Sequence, residues 1–180
     1  MANDLFLAYL SSNGKIPLSS VKDKSNWLSE PPKDSDYVGI LKSDIIQIDF
    51  DNKEDSEIAL KIVEDKKLKC NVLKTSRGYH LYFKNNPDIV KSQSVGIFNA
   101  IGLECDVGLG SKDRVVPLRT TKTLEDGSEF TRNREWLLLH EDLDVIPTLS
   151  TTRPVAAFYS GQPRSQFSAS LGIPICHSLS

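Results

Sequence analysis

Asp49 and Asp51 stand two residues apart in the apolar run Ile46-Gln47-Ile48-Asp49-Phe50-Asp51. A strand alternates its side chains between two faces, so Ile46, Ile48 and Phe50 share one face and Gln47, Asp49 and Asp51 the other. At a rise of about 3.3 Å per residue the two carboxylates lie roughly 7 Å apart at Cα. That spacing lets both reach one or two hard cations, and a third carboxylate from another strand would complete an oxygen-rich Mg²⁺ or Mn²⁺ site. Asp106, in Leu103-Glu104-Cys105-Asp106-Val107, is the candidate for the third. Three carboxylates packed without a cation are unfavourable: like charges 4 Å apart repel by roughly 1–4 kcal/mol, depending on the effective dielectric. The metal-free protein is therefore expected to be less stable than the metal-bound one.

A second cluster is Ser76-Arg77-Gly78-Tyr79-His80. His80 points to the face opposite Tyr79 and Leu81 if this segment is a strand. Lys74 and Arg77 flank the turn, and Lys112 and Arg114 follow Asp106 in the same way. Such cations are either solvated turn residues or a clamp on a triphosphate. Asp51 or Asn52 has an alternative use as the N-cap of a helix beginning near position 52. His80 has one as a hydrogen-bonded core residue.

The elements that must position these groups follow from pattern. Leu5, Phe6, Tyr9 and Leu10 fall at helical spacing and predict a short helix over Asp4–Ser12. Val38–Leu41 and Ile45–Asp51 read as strands, and Asn52–Lys67 as a helix with Ile58, Ala59, Ile62 and Val63 inward. Cys70–Lys74 and Tyr79–Phe83 are strands around a Ser-Arg-Gly turn, so strand, helix and strand suggest a βαβ-like unit. Val90–Ile101 is expected to be a second helix. Glu104–Val107 and Arg114–Leu118 are strands around a Gly-rich loop. Leu124–Phe130 is a hairpin turning on Asp126-Gly127, and Trp136–Leu139 is a last strand. Trp27 and Trp136 are expected in the core.

The 180 residues suffice for one domain, expected at 1–150. Residues 151–180 hold six Ser, three Pro and no Asp or Glu, and read as a tail or linker remnant. Hydrophobic content of 39% and charged content of 26% are ordinary for a globular protein. No stretch approaches the roughly 18 apolar residues of a membrane span. The N-terminus lacks a signal-peptide pattern. Cys70, Cys105 and Cys176 have no CxxC spacing, which points to a reducing, cytoplasmic setting. The net charge of −2 gives no argument for a polyanion partner, although metal-binding carboxylates lower the apparent charge.

These three motifs, in this order, resemble those of the archaeo-eukaryotic primase superfamily, specifically the primase-polymerase domains of phage and plasmid replication proteins. Ile48–Asp51 is similar to the first metal motif and Thr75–Phe83 to the second, histidine-bearing one. Asp106 with Arg114–Leu118 is similar to the third. Gly14–Pro17 and Val38–Ile40 also fit, so the likeness covers roughly residues 10 to 140. Many relatives carry Ser two positions before the His, where this chain has Gly78; Ser76 is the candidate to replace that hydroxyl.

The resemblance implies an α+β fold, an RRM-like mixed or antiparallel sheet with flanking helices. It implies a template-directed nucleotidyltransferase using Mg²⁺ or Mn²⁺ held by Asp49, Asp51 and Asp106. His80 would act beside the incoming nucleotide, with Lys74, Ser76, Arg77, Lys112 and Arg114 on its phosphates. The partners implied are a single-stranded DNA template, NTP or dNTP, and a helicase or helical accessory domain on another chain; no membrane is expected. If the chain is phage-encoded, its setting is the bacterial host cytoplasm. Two other readings stay open: a metal-dependent nuclease, and a truncated or repurposed relative that binds nucleic acid or a protein without catalysis.

Overall fold

The computed structural model of the chain describes residues 5–88 and 90–147. The 151–180 segment lies outside the described residues. Eleven strands and one α-helix run in the order β1 (Phe6–Asn13), β2 (Ile16–Pro17), β3 (Tyr37–Leu41), β4 (Ile45–Phe50), α1 (Lys53–Asp65), β5 (Asn71–Lys74), β6 (Tyr79–Lys84), β7 (Ser94–Phe98), β8 (Glu104–Leu109), β9 (Val115–Thr123), β10 (Glu129–Asn133) and β11 (Glu135–Leu138) among the described residues. Strand accounts for 44% of these residues and helix for 13%. The expected α+β core with flanking helices is therefore corrected to a sheet-rich architecture of two mostly antiparallel sheets. No helix among the described residues is long and apolar enough to cross a membrane.

Two of the three expected helices are strands. β1 replaces the helix over Asp4–Ser12 because it is an interior strand of the five-stranded sheet β10-β9-β3-β1-β2. Phe6 and Tyr9 pack towards the other sheet, while Ala8 and Leu10 pack on the outer face with Val21 and Trp27. Burial on both faces produces a continuous apolar run, which periodicity alone cannot separate from a helix. β7 replaces the helix over Val90–Ile101. It bulges at Gly96 and pairs at the sheet edge with β8, leaving Val95 and Phe98 exposed; tertiary pairing here overrides local pattern.

The six-stranded sheet has the order β11-β5-β6-β4-β8-β7. β4 and β5 both run antiparallel to β6, which lies between them, so the β4-α1-β5 unit is split by an inserted strand. Asn52 caps α1 by accepting hydrogen bonds from the amides of Glu54 and Asp55, which leaves Asp51 free of that task. Ala59 and Val63 of α1 pack on Ile46, Ile48, Phe50, Leu81 and Val107. Asp55, buried at the start of α1, accepts a 3.0 Å bond from the Glu104 amide and ties the helix to β8.

The other face of this sheet packs against the five-stranded sheet through Ile45, Leu73 and Tyr82, which meet Phe6, Tyr9, Val116 and Leu118. The chain passes between sheets at two stacked corners, Lys42–Asp44 and Gly110–Arg114, where the Leu41 amide bonds the Arg114 carbonyl at 2.9 Å.

Asp36 holds the far edge together. Its Oδ2 accepts from the amides of Gly14 and Thr121, each at 2.8 Å, and its Oδ1 from the Thr121 hydroxyl at 2.7 Å. Desolvation raises the carboxyl pKa, but these bonds and Arg119 outweigh it and hold it below its ordinary value of 3.8. A depressed native pKa contributes stability above the unfolded value that is lost as pH falls through the native one. Asp36→Ala should cost about 1–3 kcal/mol in urea unfolding at pH 7. The gap between variant and wild type should close as pH drops below 3.8.

Cys70 and Cys105 are buried thiols, each pushed up to about 12 by desolvation, with the charge of Asp144 adding at Cys70 and that of Asp106 at Cys105. Neither should be alkylated by iodoacetamide at pH 8 in the native protein, and both should react once it is unfolded. Peptide mapping checks this.

Candidate functional site

Register builds the site. Asp49 on β4 is paired directly with His80 on β6 and with Asp106 on β8. Directly paired residues of antiparallel strands project from the same face, with Cα atoms about 4.5–5.5 Å apart. Ile48, Leu81 and Val107 turn to the α1 side, so Asp49, His80 and Asp106 form one row facing the five-stranded sheet. A parallel row two residues on holds Gly108, Gln47 and Tyr82.

Around Asp49, every donor converges on one oxygen. Oδ2 lies 3.1 Å from His80 Nε2, 3.4 Å from Gln47 Nε2 and 3.8 Å from Arg114 Nη2. Oδ1 is buried and has no hydrogen-bond partner among the described residues. His80 is itself oriented from behind, its Nδ1 lying 3.1 Å from the Tyr82 hydroxyl. Burial, and next the charge of Asp49, push that hydroxyl well above its ordinary pKa. Nε2 faces an acceptor-only carboxylate oxygen and so carries a proton, which in the neutral imidazole leaves Nδ1 to accept from the Tyr82 hydroxyl.

Arg114 reaches this row because Gly108 has no side chain. A Cβ at position 108 would sit 2.6 Å from Arg114 Nε and 2.9 Å from its Cδ. The guanidinium lies across that gap, with Nε donating to Gln47 Oε1 at 3.0 Å.

The remaining acids have their own partners. Asp51, exposed at the end of the row, is ion-paired with Arg77. Asp106 Oδ1 accepts from the Gly96 amide at 2.7 Å, at the bulge of β7. The structure thus gathers Asp49, Asp106, His80 and Arg114 on one face and sets Asp51 and Arg77 at its rim. Lys74 is different: it pairs with Tyr79 in register, on the α1 side, and its ammonium meets Glu135 at 3.4 Å. Ser76 is exposed at the tip of the β5–β6 turn, and Lys112 is exposed on the Gly110–Lys112 turn. None of these three is brought to the row.

Gly78 needs no substitute hydroxyl from Ser76. A Cβ there would fall 2.0 Å from the Phe50 carbonyl oxygen and 3.0 Å from Ser56 Cβ. Thr75 closes this turn instead, accepting from the amides of Arg77 and Gly78 and donating to the Gly78 carbonyl.

Gln47, Tyr82 and Arg134 are participants that motif reading passed over. The first two lie two residues from Asp49 and His80, so strand alternation was the available signal. Arg134 carries no such signal, since it enters from the junction of β10 and β11. Its Nε and Nη1 are buried without hydrogen-bond partners among the described residues. Burial holds its pKa below the ordinary value, and Tyr82, Asp49 and Asp51 act in the opposite sense.

A hard cation is tested by the donor set. The buried, unpartnered Asp49 Oδ1 is an acceptor that a cation would satisfy, and Asp106 stands opposite it. As placed, no three His, Cys, Asp or Glu side chains among the described residues are close enough to hold a metal together. Binding one requires Asp51 to leave Arg77 or Asp106 to leave Gly96. The oxygen donors fit; their present rotamers serve other partners.

No family model, curated protein or solved structure matches this chain.

Gly78→Ser, which restores the hydroxyl of the resembling motif, should destabilise the fold by at least the roughly 1–3 kcal/mol of an overpacked site. Chemical denaturation measures it. An unchanged midpoint would show that the Phe50–Gly78 approach is slack.

Proposed function

We propose that the Asp49–His80–Asp106 row is the centre of a template-directed nucleotidyltransferase of the primase-polymerase type. The observation that carries this is the buried Oδ1 of Asp49, without a hydrogen-bond partner among the described residues and paired across the ladder with Asp106, while Arg114 lies 3.8 Å from Oδ2 and Arg77 holds Asp51 at the rim. A carboxylate pair on one sheet face within reach of arginines suits phosphoryl chemistry, where positioning and charge neutralisation do most of the work.

Asp49 and Asp106 would hold Mg²⁺ or Mn²⁺, with Asp51 joining from the rim. Such an ion, when bound, supplies charge for the phosphoryl oxygens and acidifies the attacking hydroxyl. Arg77, released from Asp51 as that carboxylate turns inward, is freed to meet a phosphate. Arg114 neutralises charge across the open face over Gly108. Tyr82 keeps His80 in one tautomer, and His80 keeps Asp49 Oδ2 occupied, so that Oδ1 alone is directed at a ligand. The Arg77 ion pair that ties Asp51 and the Gly96 amide that ties Asp106 in the metal-free state favour one rival, a nucleic-acid binder without catalysis; that rival predicts template binding with no incorporation.

Two readouts test the proposal. Mn²⁺ should raise the thermal midpoint of the wild type, equivalent to about 2.7 kcal/mol at a hundredfold excess over Kd, and should leave Asp49→Asn unmoved. With single-stranded template, labelled NTPs or dNTPs and Mn²⁺, Asp49→Asn and Asp106→Asn should each lower incorporation by more than the roughly 10–100-fold expected for an outer partner such as Tyr82→Phe. Undiminished incorporation by Asp49→Asn would overturn the catalytic reading. Cleavage of the template without added nucleotide would point to the nuclease instead.

A further inference from the structure

Every residue of β10 is exposed, so the β9–β10 hairpin reaches beyond the inter-sheet core. Even-numbered residues of β9 face the six-stranded sheet, as Val116 and Leu118 do inside that core. Register carries this face across the hairpin. Lys122 pairs with Phe130 and Thr120 with Arg132, and the Arg134 amide bonds the Leu118 carbonyl at 2.9 Å. Directly paired residues project from the same side, so Phe130, Arg132 and Arg134 form one stripe with Lys122 beside it. At about 3.3 Å per residue the stripe runs roughly 13 Å.

Its outer end is aromatic and cationic. Phe130 is half exposed, and the Arg132 guanidinium lies 5.6 Å from the centre of its ring. A lone exposed phenylalanine is ordinary, but this one shares its face with cations that lack a carboxylate. Neither Lys122 nor Arg132 forms an ion pair among the described residues. Glu129 turns to the opposite face, Glu125 is exposed at the hairpin tip, and Asp126 there bonds Ser128 within its own turn. The inner end is Arg134, which with Asn133 forms the polar wall of a cavity lined in part by Phe6, Tyr9, Tyr37 and Trp136. Trp136 meets Tyr82 at 5.7 Å, and Tyr82 leads through His80 to Asp49. Asp49 and Asp51 are near enough for their charges to act on Arg134. The stripe therefore runs from open solvent towards the carboxylate row.

We propose that this stripe is a sequence-independent platform for single-stranded DNA, along which the template approaches the row. The inference rests on the reading of that row as a template-directed centre, and it asks nothing of base identity. A base with a free face covers Phe130 as Arg132 now does, while Lys122 and the displaced Arg132 meet the neighbouring phosphates. Duplex DNA keeps its bases stacked and has no free face to offer the ring. An acidic protein segment would engage the cations and leave the ring uncovered. Arg134, whose Nε and Nη1 have no hydrogen-bond partner among the described residues, is the last cation of the stripe before the row. The span from Phe130 to the row is that of a length of strand, not of one nucleotide.

The experiment follows the fluorescence anisotropy of a labelled oligothymidylate, and of an abasic oligodeoxynucleotide of equal length, bound to the full chain without metal or nucleotide. Phe130→Leu keeps the apolar bulk and removes the π-face. It should weaken oligothymidylate binding roughly tenfold and leave the abasic oligomer unchanged, and Phe130→Tyr should restore affinity. Lys122→Gln and Arg132→Gln should each weaken both oligomers and lower the salt slope by about 0.7. Oligothymidylate binding unmoved by Phe130→Leu overturns the proposal, and so does an equal loss on both oligomers. Duplex DNA or polyglutamate binding as tightly as the single strand overturns it as well. Wild-type binding through these residues with no incorporation under Mn²⁺ would keep the platform and sink the catalytic centre. Incorporation by a chain whose affinity is indifferent to Phe130 would do the reverse.

Discussion

β4 runs between β6 and β8, and the register of those two ladders decides where every group of the site stands. Ile46, Ile48 and Phe50 are fully buried against α1 and the neighbouring strands. A slip of one residue in either ladder would turn these side chains out of the core. The hydrophobic side of the sheet thereby fixes the polar side: Asp49 faces His80 and Asp106 because its neighbours in sequence cannot leave the interior. The Thr75–Gly78 turn sets the next ladder by the same logic, since Lys74 pairs Tyr79 only if the turn closes on Thr75. Precision at the carboxylates is a by-product of packing on the far face.

Charge is balanced locally. The chain carries a net charge of −2, yet each acid of the row has a partner of matching chemistry: Asp49 has His80, Gln47 and Arg114, Asp51 has Arg77, and Asp106 has a backbone amide. Directly opposed like charges across a ladder are destabilising, so the Asp49–Asp106 pair needs these partners. Arg134 shows the converse, a cation whose buried Nε and Nη1 have no hydrogen-bond partner among the described residues.

How much of this was legible in the chain depends on which force fixed each element. β3, β4, α1, β5, β6 and the Asp126-Gly127 turn follow local signals of alternation, helical period and capping, and they lie where those signals place them. The row of Asp49, His80 and Asp106 could be suspected from alternation on three separate strands, but their pairing is a matter of register, which no single segment encodes. β1 and β7 depart from their local patterns for opposite reasons. β1 is apolar on both sides because sheets and loops cover it twice, and β7 is held at an edge by pairing with β8 despite an unremarkable pattern of its own. Lys74 illustrates a finer failure: its position at a strand end is visible in sequence, but the face it takes is opposite to that of its neighbour Leu73. Arg134 and the aromatic cavity depend on residues from β1, β3 and β11, whose convergence is purely tertiary.

Arg114 is rooted at the corner where the chain leaves one sheet for the other, and its side chain reaches back over Gly108 to the centre of the sheet it has just left. Its guanidinium therefore acts as a lever arm whose fulcrum is the junction of the two sheets. A tilt of the five-stranded sheet against the six-stranded one would change the 3.8 Å separation of Arg114 and Asp49, and with it the potential at that carboxylate. The β9 corner is in this sense an electrical contact as well as a structural one, and packing far from the carboxylates sets the field in which they work.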